Sequence, residues 1–438
     1  MTAPNAEPTL AGLSKAATAH DPTGATRQMY LIFLAAALGM LLDSIVINVY
    51  TVTLPAVTDE FDLTAQDIGF ISSIFLFGYA LGTLSGGTMA DYLGRCVSLG
   101  ISVGLYSIFS ALTGAATGGA SFAATRFLTG IGTGTELPIG AAYVAEAAPR
   151  RWRGFALTLT NSVYSLGIFC ASVIVALAAN WRWAFASMLV LGAIVYLIRA
   201  TAEESPRFHK VQAVLADRTL QRRRFTVWEV FAPAYRGATL RIMMLWIGYW
   251  TFWWSWVIFV PRYLITEAHV GQAEIAWYMG AFGLGGFLCQ NLSGYLCDIV
   301  GRRWTIIAFT GIGVTALWLW IAYAVSPAAP MLGGIAFASL LAPVPPMLAH
   351  TAETFPTTLR GTGQSVTIGI ARLVSVAGPT AAGLVVAKIG LASEFKLASV
   401  LLLLTVLAAW YGPETRGIAL DDGLAEKVST PAAAGTAS

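Results

Sequence analysis

Charge is scarce in this chain of 438 residues. Only 11% are Asp, Glu, Lys or Arg, less than half of the roughly 25% found in ordinary soluble domains. A surface wetted on all sides cannot be built from that supply, which argues against a soluble fold. Histidine and cysteine are scarcer still: His20, His209, His269 and His350 are scattered, and Cys96, Cys170, Cys289 and Cys297 fall in or beside apolar segments. Neither set has the close spacing of a zinc or redox site. No cofactor or metal is therefore expected, the cysteines read as small buried hydrophobes, and nothing points to an enzyme. The basic residues form no soluble patch with interleaved aromatics, so no nucleic-acid partner is expected. Residues 1–28 lack the continuous apolar stretch of a signal peptide and read as a disordered tail, as does the Ala/Thr/Ser end after Lys427 within a second tail over residues 412–438.

What the chain has in abundance is apolar length, with 56% hydrophobic residues. A spanning helix needs about 20 mostly apolar residues, and twelve such stretches follow one another between Tyr30 and Trp410. The expected fold is an all-α membrane protein, with one bundle over residues 29–199, a polar basic linker over 200–238 and a second bundle over 239–411. The linker carries Arg222, Arg223 and Arg224 and reads as a surface helix. Loop charges set the orientation. Arg95, Arg150, Arg151, Arg153, Arg302, Arg303 and Arg360 fall on the side of both tails, whereas Asp59, Glu60, Asp62, Asp67 and Glu267 fall on the other. Both termini should face the cytoplasm.

The two bundles are copies. Gly87-Thr-Met-Ala-Asp91-Tyr-Leu-Gly94-Arg95 matches Gly294-Tyr-Leu-Cys-Asp298-Ile-Val-Gly301-Arg302 at an offset of 207, and Glu146-Ala-Ala-Pro149 with Arg153-Gly154 matches Glu353-Thr-Phe-Pro356 with Arg360-Gly361 at the same offset. A looser pair, Glu204-Ser-Pro206-Arg207 and Pro413-Glu414-Thr-Arg416, closes each half. Together with Arg126-Phe-Leu-Thr-Gly130-Ile-Gly132-Thr-Gly134, these motifs resemble the major facilitator superfamily over residues 29–420. Gly39-Met-Leu-Leu-Asp43 and Gly132-Thr-Gly-Thr-Glu136-Leu-Pro138-Ile-Gly are similar to its niacin permease and synaptic-vesicle-protein-like branch, related to the sugar porters. The chain departs from the niacin permeases at Val46, where many carry a second Asp. The resemblance implies two pseudo-symmetric six-helix bundles around a central cavity. It also implies a gate on the cytoplasmic side made by Asp91, Arg95, Glu146, Arg153, Asp298, Arg302, Arg303, Glu353 and Arg360.

Asp43, Glu136 and Arg372 lie roughly ten to fifteen residues into their helices, near mid-membrane at ~1.5 Å of rise per residue. A charge there costs at least ~2.5–3.5 kcal/mol. Shifted by 207, Asp43 falls on Trp250, Glu136 on Pro343, and Arg372 back on Ser165, so none belongs to the duplicated scaffold. Asymmetric charges at depth are candidates for function: Asp43 and Glu136 as proton carriers, Arg372 for an anionic group on the solute, and Arg126, nearer the outer end of its helix, as a further substrate contact. A structural salt bridge is the competing reading for each. In the seventh segment Tyr249, Phe252, Trp253 and Trp256 share one helical face, which either lines the cavity, with Tyr249, Trp253 and Trp256 as stacking partners, or faces lipid. Pro343, Pro345 and Pro346 break the tenth helix, and the Gly130, Gly132, Gly134 series suits close helix packing.

These features point to a secondary transporter of the bacterial inner membrane, working as a single chain in the lipid bilayer on protons and a small-molecule substrate. A small organic acid accounts for Arg372, and the resemblance implies an aromatic or heterocyclic one. A sugar:proton symporter and a drug:proton antiporter are the alternatives within transport. A transport-silent receptor is the alternative outside it.

Overall fold

A computed structural model describes residues 22–147, 153–201, 204, 227–271, 274–355 and 359–416. Six helices make the first half: α1 (Pro22–Phe61), α2 (Ala65–Leu93), α3 (Arg95–Thr113), α4 (Gly119–Ala147), α5 (Arg153–Leu177) and α6 (Trp181–Ala200). The second half repeats the plan with interruptions: α7a (Arg236–Val257) and α7b (Val260–Thr266), α8 (Ile275–Ile299), α9 (Arg302–Ala322), α10a (Ala329–Leu341) and α10b (Val344–Thr354), α11a (Arg360–Ser375) and α11b (Ala377–Ile389), α12a (Leu391–Val400) and α12b (Leu402–Trp410). No strand occurs among the described residues. Nine spans, or ten with the bent α7 pair, are long and apolar enough to cross a membrane among the described residues. Gly, Thr, Asn and Gln dilute the equally long α4 and α8. The surface helix expected in the linker falls on 205–226, outside the described residues, and a short 3-10 turn, Val227–Phe231, leads into α7a.

The turns follow local chemistry. Thr64 and Asp67 form a reciprocal capping box at the start of α2, Thr64 Oγ1 accepting from the Asp67 N–H (3.2 Å) and Asp67 Oδ2 from the Thr64 N–H (2.9 Å). Gly94 and Gly301 hold φ at 94° and 113° where α3 and α9 begin, a backbone region that only Gly adopts freely. Both breaks between α10a and α10b and between α11a and α11b trace to proline. Pro345 and Pro346 withhold donors from Leu341 and Ala342, and Pro379 from Ser375. The sequence reading anticipated the first break and not the second.

Within the first half α2 and α4 touch backbone to backbone. A Cβ on Gly82 would strike the Ile131 carbonyl, and one on Gly134 the Tyr79 carbonyl, so glycine there permits the approach that drives helix association in lipid. The halves meet along two seams. At the end of the bundle where α1 finishes, α2 packs on α11b, with Thr380 donating from N (3.2 Å) and Oγ1 (2.8 Å) to Ser73 Oγ. The other seam is α5 on α8, where Asn291 Nδ2 donates to Ser162 Oγ at 3.0 Å.

Candidate functional site

A cavity lies between the halves. Its first-half wall is made by Met40 and Asp43 of α1, Tyr79 of α2, and Asn161 and Tyr164 of α5. Facing these stand the α7a aromatics, Gln290 of α8, Leu341 of α10a, and Ile368 and Arg372 of α11a. The space is about 670 Å³ out to its mouth, of which the centre of a water molecule reaches about 50 Å³. That is several times the roughly 10–15 Å³ that one water requires, and it suits a small flat solute.

The α7a wall resolves the choice between cavity and lipid. Trp246, Tyr249, Trp250, Trp253 and Trp254 line the space, spaced as one helical face. Trp246 stacks on Trp250 (5.9 Å between centroids) and Tyr249 on Trp253 (6.4 Å). Polar tips fix two of these rings: Tyr249 Oη donates to the Leu340 carbonyl (3.0 Å) and Trp246 Nε1 to Thr351 Oγ1 (2.9 Å). Trp256 is the correction. It lies among Phe252, Phe337 and Phe395, fully buried in the second half and outside the cavity lining. Of the expected face, Tyr249 and Trp253 line the cavity, and Phe252 and Trp256 do not.

Asp43 and Arg372 are brought together as lining residues of one cavity, 1% and 5% exposed. The Arg372 guanidinium sits over the rings of Tyr79 (4.6 Å) and Trp250 (5.5 Å) and donates from Nη1 to Thr83 Oγ1 (2.9 Å). Neither carboxylate oxygen of Asp43 has a hydrogen-bond partner among the described residues. A buried acid without a donor is costly, and such groups concentrate where function requires them.

Glu136 departs from the expected trio. It lies outside the cavity lining, wholly buried and paired with Arg199 in the last turn of α6. Arg199 binds both Glu136 oxygens and also donates to the carbonyls of Ala35 (3.1 Å) and Leu99 (3.0 Å), while Ser102 Oγ donates to Glu136 Oε2 (3.3 Å). All three guanidinium nitrogens and both carboxylate oxygens are bonded, and the grouping ties α1, α3, α4 and α6 together. Arg199 escaped the sequence reading because a basic residue at the end of an apolar helix looks like a topology signal. Arg126 also stays outside the cavity. It is fully buried beneath the rings of Tyr50 (4.6 Å), Phe75 (4.5 Å) and Phe185 (6.0 Å), and none of its three guanidinium nitrogens has a hydrogen-bond partner among the described residues.

At the end bearing the duplicated turns, Arg302 grips Glu353 through two bonds (Nε–Oε2 3.1 Å, Nη2–Oε1 2.9 Å) and pairs with Asp298 (2.9 Å). The looser motif pair has one job in both halves. Glu204 accepts from the backbone N–H groups of Arg95 and Cys96 (2.9 Å each), and Glu414 from those of Arg302 (2.9 Å) and Arg303 (3.2 Å). Each carboxylate thus serves free donors at a helix N-terminus. Arg95 and Arg302 each donate to a carbonyl five residues back, Ala90 (3.0 Å) and Cys297 (2.9 Å). Arg303 instead lies between the rings of Trp304 and Trp410 (5.1 Å each). The side chains of Asp91, Glu146, Arg153 and Arg360 lie outside the described residues.

Comparison with known proteins agrees with this architecture. The family model for sugar (and other) transporters matches residues 23–230, and that for the major facilitator superfamily matches residues 241–435. A probable 4-methylmuconolactone transporter of Cupriavidus pinatubonensis is 26% identical over 92% of this chain and 94% of its own length. A putative niacin/nicotinamide transporter of Bacillus subtilis is 24% identical over 88% of this chain and 96% of its own. Among solved structures, the inward-open xylose transporter of E. coli superposes with a TM-score of 0.71 at 19% identity, over 90% of this chain and 98% of that one. Two models tiling both halves, a repeat at one offset and the helices α1 to α12 arranged in two halves around a cavity agree: the chain belongs to the major facilitator superfamily of membrane transporters.

Proposed function

We propose that this transporter carries a small aromatic or heterocyclic carboxylate, together with a proton, across the bacterial inner membrane, its halves rocking about the cavity and its termini in the cytoplasm. The observation that carries the reading is Arg372, a buried cation set in an aromatic wall that shares its cavity with an unpartnered acid, Asp43. A planar guanidinium grips a carboxylate through two parallel bonds, and a flat ring lies naturally against Trp250, Tyr249 and Trp253. Asp43 offers the proton site. The relatives' names support the class, since 4-methylmuconolactone and niacin are small rings bearing a carboxyl group.

A monoanion moved with one proton carries no net charge. With Glu136 held by Arg199, Asp43 is the single carboxylate in the cavity lining among the described residues, so the reading is electroneutral symport driven by the pH gradient. Purified protein in proteoliposomes should accumulate labelled nicotinate under an inward proton gradient, with competition by other ring carboxylates and none by hexoses. Accumulation of hexose and indifference to carboxylates would replace this reading with sugar symport.

A further inference from the structure

Pro138 in α4 and Pro345 in α10b stand 207 residues apart, the offset of the duplicated motifs. Each lacks an N–H, so the carbonyls four residues earlier, Gly134 and Leu341, lose their helical donors. Inside a bilayer no water replaces them. A neighbouring helix supplies the missing donor in both halves. Thr83 Oγ1 of α2 donates to the Gly134 carbonyl (3.0 Å), its proton shared with the Tyr79 carbonyl (2.9 Å), and Gln290 Nε2 of α8 donates to the Leu341 carbonyl (3.3 Å). The Gln290 amide has one admissible orientation, because a carbonyl accepts only from nitrogen.

Each of these side chains is also bonded across the seam between halves. Arg372 Nη1 of α11a donates to Thr83 Oγ1 (2.9 Å), and Ser165 Oγ of α5 donates to Gln290 Oε1 (2.8 Å). Thr83 and Gln290, Gly134 and Leu341, and Ser165 and Arg372 all keep the offset of 207. Two copies of one chain of contacts therefore run from the opposite half, through a polar side chain, to a carbonyl freed by proline. Only the proline is identical in the two, and they differ in charge at one end: the copy through Thr83 ends in a cation, the copy through Gln290 in a neutral hydroxyl.

We propose that Thr83 and Gln290 are paired positioning residues that tie the proline-freed carbonyls of α4 and α10 to the opposite half, and that substrate acts on the Thr83 copy alone. A carboxylate at Arg372 offers two parallel bonds between opposite charges, against the single bond from the cation to the neutral Thr83 hydroxyl. The guanidinium turns to it, and the tie from α11a through Thr83 to the α4 carbonyl opens. Ser165 and Gln290 carry no charge and keep their bond, so the α5–α8 seam remains the pivot. This inference rests on the carboxylate reading only for the step at Arg372; the two proline-linked contacts stand independently of it.

The test combines Thr83→Val, Thr83→Ser and Gln290→Leu with Pro138→Ala and Pro345→Ala, each proline change restoring one backbone donor. In ligand-free protein, Thr83→Val and Gln290→Leu should lower the thermal midpoint, and Thr83→Ser should not. Pro138→Ala should restore Thr83→Val alone, and Pro345→Ala should restore Gln290→Leu alone. In proteoliposomes Thr83→Val should slow nicotinate exchange by about three- to tenfold, the size of one hydrogen bond, and adding Pro138→Ala should leave exchange slow. Rescue of a variant by the proline change of the other half, failure of its own proline change to restore it, or wild-type exchange in Thr83→Val overturns the proposal. Wild-type protein that moves no nicotinate refutes the carboxylate reading instead, and the thermal matrix still decides the contacts.

Discussion

Asp43 and Arg372 line one cavity from opposite halves, and only Arg372 has a hydrogen-bond partner there, Thr83 at 2.9 Å. The cation is positioned by a hydroxyl and two rings, while neither oxygen of the acid has a hydrogen-bond partner among the described residues. The proposed function gives an anionic group of the solute to Arg372 and a proton to Asp43, and each assignment has a test.

Arg372→Lys keeps the charge but removes the planar fork and its stacking on Tyr79 and Trp250. Nicotinate affinity, measured by ligand-induced thermal shift, should fall by at least about tenfold, ~1.4 kcal/mol. An unchanged affinity would remove Arg372 from the anion site.

Glu136→Gln should behave as a structural lesion. Removing one partner of a buried pair leaves an uncompensated charge and costs ~3–5 kcal/mol, here on Arg199. The thermal midpoint should drop sharply, and Glu136→Gln with Arg199→Met should regain most of the loss. A stable Glu136→Gln protein that exchanges nicotinate but no longer accumulates it would return Glu136 to the proton path.

Trp253 and Trp256 separate cavity from core. Trp253→Ala should weaken nicotinate binding more than it lowers stability. Trp256→Ala opens a void among Phe252, Phe337 and Phe395 and should cost roughly 3–5 kcal/mol of stability. The reverse pattern would mean that the wrong ring had been placed in the cavity.

Glu353→Gln breaks the two-bonded grip of Arg302, far from the cavity lining. Exchange should slow while nicotinate affinity stays within about threefold, ~0.6 kcal/mol. Loss of binding in folded protein would contradict a gating role.

Much of this was legible in the sequence because bilayer physics is restrictive: apolar length gives the spans, and one offset shared by two motifs gives the halves. Depth along a helix was legible too, and it singled out Asp43, Glu136 and Arg372, of which Asp43 and Arg372 line the cavity and Glu136 does not. Which charges meet was not. The Glu136–Arg199 pair depends on α4 and α6 lying side by side, and no spacing rule links residues 63 apart. Helical rotation was similarly hidden: with aromatics at 246, 249, 250, 253, 254 and 256, several faces of α7a look equally aromatic, and packing against Phe337 and Phe395 decides that Trp256 turns away. The Thr83 and Gln290 contacts were beyond reach because neither residue is charged, and their meaning comes from the prolines on other helices.

The central claim is that Asp43 carries the coupling proton, and Asp43→Asn tests it most directly. Asn copies the shape of the neutral acid, and without a basic residue bonded to Asp43 the change leaves no partner stranded. Counterflow exchange and pH-driven accumulation of labelled nicotinate are measured on the same proteoliposomes, with and without a potassium-diffusion potential, which supplies ~2.3 kcal/mol per charge per 100 mV. Wild-type protein should accumulate nicotinate with the pH gradient and ignore the potential, and the Asn variant should exchange but not accumulate. Accumulation by the Asn variant at the wild-type level would contradict the account.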